Sequence, residues 1–111
     1  MSSNYKFDVV IVGAGVVGLA IAQKLSNSFK DVLLIDKEKT FGQHISSRNS
    51  EVIHSGIYYP KNTLKSSLCV KGNTLLYEFM KQYDIPFSNC GKLIVGFNEK
   101  DEYKIDQLLK N

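Results

Sequence analysis

The sequence predicts an α/β fold in which parallel strands are joined through a helix. Three observations carry that prediction. Val9-Val10-Ile11-Val12 is a short apolar run that stops at a glycine, the pattern of a strand buried on both faces. Gly13, Gly15 and Gly18 follow it in the spacing G-x-G-x-x-G, where a helical pattern begins. Asp31-Val32-Leu33-Leu34-Ile35-Asp36 is a second apolar run, and it ends in an acid. Together they specify a Rossmann-like βαβ unit over residues 6–36, with the two strands parallel because a helix connects them.

Met1 to Lys6 is a polar lead-in, and Phe7 to Val12 is strand one. Gly13 turns the chain out of that strand, Gly15 lets the backbone come close to a pyrophosphate, and Gly18 lets helix and strand pack tightly. The helix runs from Val16 to about Ser28, with Leu19, Ala22 and Leu25 on one face. Its amino-terminal end offers the amides of Ala14, Gly15, Val17 and Gly18, and the positive end of its dipole, to phosphates. Val32 to Asp36 is strand two. Asp36 stands close to the roughly 20-residue offset of an acid that holds a ribose hydroxyl, with Lys37 beside it. This constellation binds an adenine dinucleotide, and the glycines and acid alone admit NAD as well as FAD.

Residues 37–60 form the next segment. Lys37 to Ser50 is polar and without a period, and long irregular stretches in a compact domain are functional or disordered. It follows the carboxyl end of two parallel strands, where ligands bind. Ser46, Ser47, Arg48, Asn49 and Ser50 bring the hydroxyl, amide and guanidinium donors that a pyrophosphate needs, although a solvent loop fits the pattern equally. Val52 to Pro60 is apolar and aromatic, broken by His54 and Gly56, and a glycine there suggests that a ligand or another backbone comes close.

Residues 61–111 start with a helix from Leu64 to Tyr83. Its expected inward face is Leu64, Leu68, Leu75, Leu76, Phe79, Met80 and Tyr83, with Gly72 weakening it midway by roughly 1 kcal/mol against alanine. Asp84-Ile85-Pro86 ends it, since the residue before proline leaves the helical region. Lys92 to Phe97 reads as a third strand. Glu99 to Lys110 reads as a charged helix with Tyr103, Ile105, Leu108 and Leu109 inward.

The totals narrow the function. At 111 residues the chain is one domain at most. Its +3 charge is spread over scattered lysines paired with acids, with no basic stripe carrying interleaved aromatics, so nucleic acid is not an expected partner. Cys69 and Cys90 stand apart, outside any metal-ligand or redox spacing, which fits reduced cytosolic thiols and no metal site. The apolar run at the amino terminus is too short to span a bilayer. The expected location is therefore cytoplasmic, with peripheral attachment at the inner face of a membrane left open.

The residues also carry a resemblance. The series consists of Asp8 to Gly18, then Asp36, then Ser47-Arg48-Asn49-Ser50-Glu51-Val52-Ile53-His54-Ser55-Gly56-Ile57-Tyr58-Tyr59-Pro60. Leu64-Lys65-x-x-Leu68-Cys69-Val70-x-Gly72 and Cys90-Gly91-Lys92-Leu93-Ile94-Val95 complete it. It resembles the amino-terminal end of the L-2-hydroxyglutarate dehydrogenase (oxidase) family, FAD enzymes of the D-amino-acid-oxidase-like superfamily. The stretch N-S-x-V-I-H-x-G-I-Y-Y-P is the most specific part. The resemblance implies an incomplete FAD-binding unit of the GR2-type flavoproteins, followed by the start of a second, substrate-domain sheet to which Lys92–Phe97 would belong.

It implies FAD as cofactor, a small 2-hydroxy acid as substrate (L-2-hydroxyglutarate, giving 2-oxoglutarate) and oxygen or a quinone as electron acceptor. Gly13, Gly15 and Gly18 would hold the pyrophosphate and Asp36 the ribose. Ser47, Arg48, Asn49 and Ser50 would line the pyrophosphate and ribityl chain. His54, Gly56 and Ile57 would lie near the flavin ring, which makes His54 the candidate catalytic residue. Related serines followed by I-H-x-G occur in FAD-dependent glycerol-3-phosphate dehydrogenases, so those enzymes and the amino-acid oxidases are rival assignments. Arg48 is the sole arginine, too few to clamp two carboxylates. Family members are several times longer. The chain is therefore expected to be an amino-terminal fragment or a truncated, non-catalytic remnant that binds FAD weakly and turns nothing over.

Overall fold

The structure is a computed structural model and describes residues 4–110. Met1–Ser3 and Asn111 lie outside the described residues, so the expected lead-in is seen from Asn4 on, without regular structure. The chain divides into two compact units, Met1–Glu51 and Val52–Asn111.

The first unit is the βαβ element. Strand β1 (Val9–Val12), helix α1 (Val16–Ser26) and strand β2 (Val32–Ile35) follow in order. The strands are parallel and in register, with Val9 opposite Val32 and Val12 opposite Ile35. The register is anchored at its start by a side chain. Asp8 Oδ2 accepts hydrogen bonds from the amides of Lys30 and Asp31 at 3.2 and 3.1 Å, while the Asp8 amide donates to the Asp31 carbonyl at 2.9 Å. Asp8 thereby clips the end of the crossover to the beginning of β1.

Helix α1 packs on both strands. Gly18, Leu19, Ala22 and Leu25 are half-buried, as the helical spacing predicts. One expectation is corrected: β1 is not buried on both faces. Val9 and Ile11 are half-buried, whereas Val10 and Val12 are exposed. Successive strand residues point to opposite faces, and within this unit a single helix covers one of them. The segment after β2 is irregular as expected, with one 3₁₀ turn at His44–Ser47.

The second unit holds helices α2 (Leu64–Gln82) and α3 (Glu99–Leu109). Each starts at a side-chain cap. Thr63 Oγ1 accepts from the Ser66 amide at 3.2 Å, and Asn98 Oδ1 accepts from the Asp101 amide at 3.2 Å. Glu99, Asp101 and Glu102 in the first turn of α3 complement its dipole. Helix α2 ends before Pro86. Asp84 takes a left-handed φ of 52°, and the Ile85 amide returns to the Met80 carbonyl at 2.8 Å, a Schellman-like closure.

Two further expectations are corrected here. Of the predicted inward face of α2, only Met80 is buried, and Leu64, Leu68, Leu75, Leu76, Phe79 and Tyr83 are exposed. In α3, Ile105 and Leu108 are half-buried but Tyr103 and Leu109 are exposed. Periodicity marks the face a helix would bury; it does not supply what covers that face. Lys92–Phe97 forms no strand, because a strand exists only through ladder bonds to a neighbour, and the described sheet contains β1 and β2 alone. Leu93 and Phe97 are each 88% exposed.

Candidate functional site

The chemistry-bearing part of the first unit is the turn between β1 and α1. Gly13 takes a φ of 109°, which an L side chain rarely adopts, and its amide donates to the Ile35 carbonyl at 2.7 Å. The turn is therefore hung from the end of β2. Gly18 sits so close beneath it that a Cβ there would lie 1.8 Å from the Gly13 carbonyl oxygen. A Cβ on Gly15 would lie 3.0 Å from Ser46 Oγ. Gly18 is thus required by closeness to backbone and Gly13 by its backbone angle, while Gly15 leaves room for the Ser46 hydroxyl.

Asp36 comes back to this turn. Its Oδ2 accepts from the Ala14 amide at 2.6 Å, and its Oδ1 accepts from the Glu38 amide at 2.9 Å. These amides, Glu38 first and Ala14 next, hold its carboxyl below the usual carboxylate range; the Lys37 amide and ammonium add to this, and partial desolvation opposes it. The acid is therefore ionised at neutral pH and exposed beside the glycine turn, where it can accept further hydrogen bonds from hydroxyls. Ala14 is buried beneath it.

The loop of residues 37–50 is tied to the same turn at two points. The Gly42 amide donates to the Ala14 carbonyl at 2.8 Å, and the Val16 amide donates to Ser46 Oγ at 2.9 Å. Ser46 thus occupies the first amide of α1, whose amino-terminal cap residue, Gly15, brings no side chain of its own. The amides of Val17 and Gly18 have no intrahelical acceptor by construction, and no acid stands in the first turn to repel an anion. Lower in the loop, His44 Nε2 lies 2.9 Å from Glu38 Oε1.

Residues Ser47–Ser50 are placed differently from Ser46. Ser47 Oγ donates to the His44 carbonyl at 3.1 Å. Asn49 Nδ2 donates to the Ser46 carbonyl at 3.1 Å, and its Oδ1 accepts from the Glu51 amide at 2.8 Å. Ser47 and Asn49 therefore shape their own loop, while Arg48, Ser50 and Lys37 are exposed. Of the hydroxyl, amide and guanidinium donors at 46–50, the side chain that reaches the glycine turn is that of Ser46, which stands in the sequence as one more hydroxyl in a run of donors.

His54, Gly56 and Ile57 belong to the second unit. Gly56 is buried with a φ of 87°, and a Cβ on it would lie 3.2 Å from Val70 Cγ2. The His54 carbonyl accepts from Asn73 Nδ2 at 3.1 Å and from Cys69 Sγ at 3.5 Å. His54 itself is exposed, and Ile57 is half-buried.

A parallel strand pair, a glycine turn over a helix amino terminus and an acid returned to that turn define a dinucleotide-binding unit of Rossmann type. The chain belongs to the FAD-dependent oxidoreductase family designated DAO, whose family model matches residues 8–111. It is 49% identical over 104 residues to the mitochondrial L-2-hydroxyglutarate dehydrogenase of Arabidopsis thaliana, covering 94% of this chain and 22% of that protein. It is 43% identical over 109 residues to the Homo sapiens enzyme of the same name, covering 96% and 24%. The Dictyostelium discoideum enzyme of that name is 42% identical over 106 residues, covering 94% and 24%. The chain thus spans about a quarter of the length of these curated relatives. The fold and the match agree on an incomplete Rossmann-like FAD-binding unit. Among the described residues no helix is long and apolar enough to cross a membrane.

The residues fit the cofactor that the family implies. A Cβ on Gly15 would crowd the helix end against Ser46 Oγ, the amides of Val17 and Gly18 lack intrahelical acceptors, and Asp36 stands ionised beside the same turn.

Proposed function

We propose that this chain is the nucleotide-gripping part of an FAD-dependent oxidoreductase that acts on the CH–OH group of a small 2-hydroxy acid, L-2-hydroxyglutarate in the first instance. The observation that carries the cofactor assignment is the Asp36–Ala14 hydrogen bond, which ties the acid to the glycine turn at the end of α1. The substrate assignment is supported by the names of relatives 42–49% identical over this region.

Bound FAD supplies the two-electron oxidation chemistry. The chain's own residues bind and orient. The amides of Gly15, Val17 and Gly18 would hold the pyrophosphate, with Ser46 Oγ fixing the Val16 amide beside them. Asp36 would accept hydrogen bonds from the ribose hydroxyls. Ser47, Arg48, Asn49 and Ser50 are proposed along the phosphate and ribityl chain, and His54, Gly56 and Ile57 near the flavin ring, as the resemblance implies. With Arg48 as the sole arginine, the groups that clamp the substrate carboxylates are assigned to the whole protein. In the same proposal, 61–111 includes the start of the substrate domain, and oxygen or a quinone takes the electrons. The cytoplasm is the proposed compartment, with the relatives' mitochondrial designation as its rival; fractionation of cells carrying a tagged copy decides between them.

Titration of the purified chain with FAD and with NAD, followed by flavin absorbance and by calorimetry, tests the cofactor. FAD is expected to bind and NAD to bind more weakly; the reverse order would overturn the assignment. For the whole protein, dye reduction with L-2-hydroxyglutarate, compared with glycerol 3-phosphate and a D-amino acid, tests the substrate class.

A further inference from the structure

We infer that Asn73, on the middle of α2, is a positioning residue: it fixes the backbone of His54–Ile57, the segment placed above near the flavin ring. For its functional meaning the inference rests on that FAD reading.

The turn is held along one stripe of α2. Ser66, Cys69, Val70 and Asn73 follow at helical spacing and so share a face. Asn73 Nδ2 donates to the His54 carbonyl at 3.1 Å, and Cys69 Sγ reaches the same oxygen at 3.5 Å. Gly56 then passes so near Val70 and the Ser66 carbonyl that its missing Cβ would stand 3.2 and 3.7 Å from them. The turn closes with the Tyr59 amide on the Gly56 carbonyl at 2.9 Å, and Lys65 Nζ lies 4.3 Å from the centre of the Tyr59 ring.

A second observation makes Asn73 more than a chance contact. Gly72 and Asn73 are adjacent poor helix formers in the interior of a 19-residue helix. A local rule broken in mid-element needs a compensating contact, and such breaks cluster at functional sites. Gly72 meets nothing within 4 Å, so the contact that compensates is Asn73 on His54. The backbone carbonyl is consumed by this bond while the His54 imidazole stays exposed. The stripe thus fixes where the imidazole starts from without engaging the ring.

The test compares the parent chain with Asn73→Asp, which keeps the shape and removes the donor, and Asn73→Gln, which restores it on a longer arm. Amide hydrogen exchange at Ile57 and Tyr59 is expected to rise about threefold to tenfold in N73D, the range that loss of one hydrogen bond gives. Exchange along α2 should stay unchanged, and N73Q should recover part of the protection. Added FAD should show a smaller shift of its visible flavin band with N73D than with the parent, while ADP affinity is equal in both. Exchange at Ile57 and Tyr59 within twofold of the parent would overturn the inference. If N73D loses far-UV helix signal, N73A makes the same test without a misplaced charge. An unshifted flavin band in the parent, with ADP still bound, overturns the flavin reading and the functional half of the inference. The exchange result still decides whether Asn73 holds the turn.

Discussion

Asp36 Oδ2 and the Ala14 amide, 22 positions apart in sequence, lie 2.6 Å from each other. The bond closes the βαβ unit on itself: the first residue past β2 grips the turn that follows β1. It also fixes which face of the carboxylate is spent. One oxygen holds Ala14 and the other holds Glu38, so a nucleotide hydroxyl must use the remaining lone pairs of an acid that is already oriented.

The first prediction is a pH dependence. The carboxyl of Asp36 is lowered in the folded chain, so the unfolded chain takes up its proton first as pH falls. The stabilising contribution is fully present above the ordinary carboxylate value of about 4. It is lost as pH falls from there through the lowered folded value. Denaturant unfolding between pH 6 and pH 2.5 should show this loss, and Asp36→Asn should flatten it. At pH 7 the same variant should weaken ADP and FAD binding alike, because the acid serves the adenosine end; an effect on FAD alone would contradict that placement.

The three glycines should separate by mechanism. A methyl at Gly18 would meet the Gly13 carbonyl at 1.8 Å, and backbone cannot rotate away. Gly18→Ala is expected to cost at least the 1–3 kcal/mol, roughly, of an overpacked site, and to abolish FAD binding with it. A methyl at Gly15 meets only Ser46 Oγ, at 3.0 Å, and a hydroxyl can turn aside. Turning aside gives up its bond to the Val16 amide, so Gly15→Ala should cost about 1 kcal/mol, less than Gly18→Ala, while weakening nucleotide binding. Thermal unfolding and FAD titration of the two variants side by side check the contrast.

Much of this arrangement is legible in the sequence. Val9–Val12, the glycine spacing, Val32–Ile35 and Asp36 declare themselves because strand runs, turns and offsets are local signals. The partners of the turn are not local. Gly42 and Ser46 reach Ala14 and Val16 across 28 and 30 positions from a segment without a period, so nothing in their neighbourhood distinguishes Ser46 from Ser47. The bed of the His54–Ile57 turn is hidden for the opposite reason. Helix α2 has a strong leucine periodicity that draws attention to one face, whereas its small residues at 66, 69, 70 and 73 make the contacts. Lys92–Phe97 has strand composition but no ladder, since pairing is a property of two segments.

Ser46 carries the third prediction. Its hydroxyl serves α1 as a cap supplied from a distant loop rather than from the cap residue itself. Ser46→Ala is expected to destabilise the first unit by about 1 kcal/mol, the usual cost of losing a side-chain cap. It should also raise amide exchange at Val16 more than at Leu19, whose amide donates to the Gly15 carbonyl within the helix. Equal exchange at both positions would mean that the whole turn opens and that Ser46 does not act on a single amide.

The second unit offers a prediction in which two glycine-to-alanine changes have opposite signs. Gly56 is buried with a φ of 87°, and an added Cβ meets Val70 at 3.2 Å. Alanine there must adopt a left-handed backbone and push against α2, so Gly56→Ala should destabilise by roughly 1–3 kcal/mol. Gly72 lies inside α2 with nothing within 4 Å of its missing Cβ. Alanine removes backbone freedom from the unfolded chain and suits the helix, so Gly72→Ala should stabilise by roughly 0.5–1 kcal/mol. The double variant tests whether the two act independently, although residue 72 adjoins Asn73, which holds the turn containing Gly56. Additivity within about 0.5 kcal/mol would show that the turn sits on a helix already fully formed. A gain from Gly72→Ala that vanishes in the Gly56→Ala background would show instead that the turn and the middle of α2 form as one element.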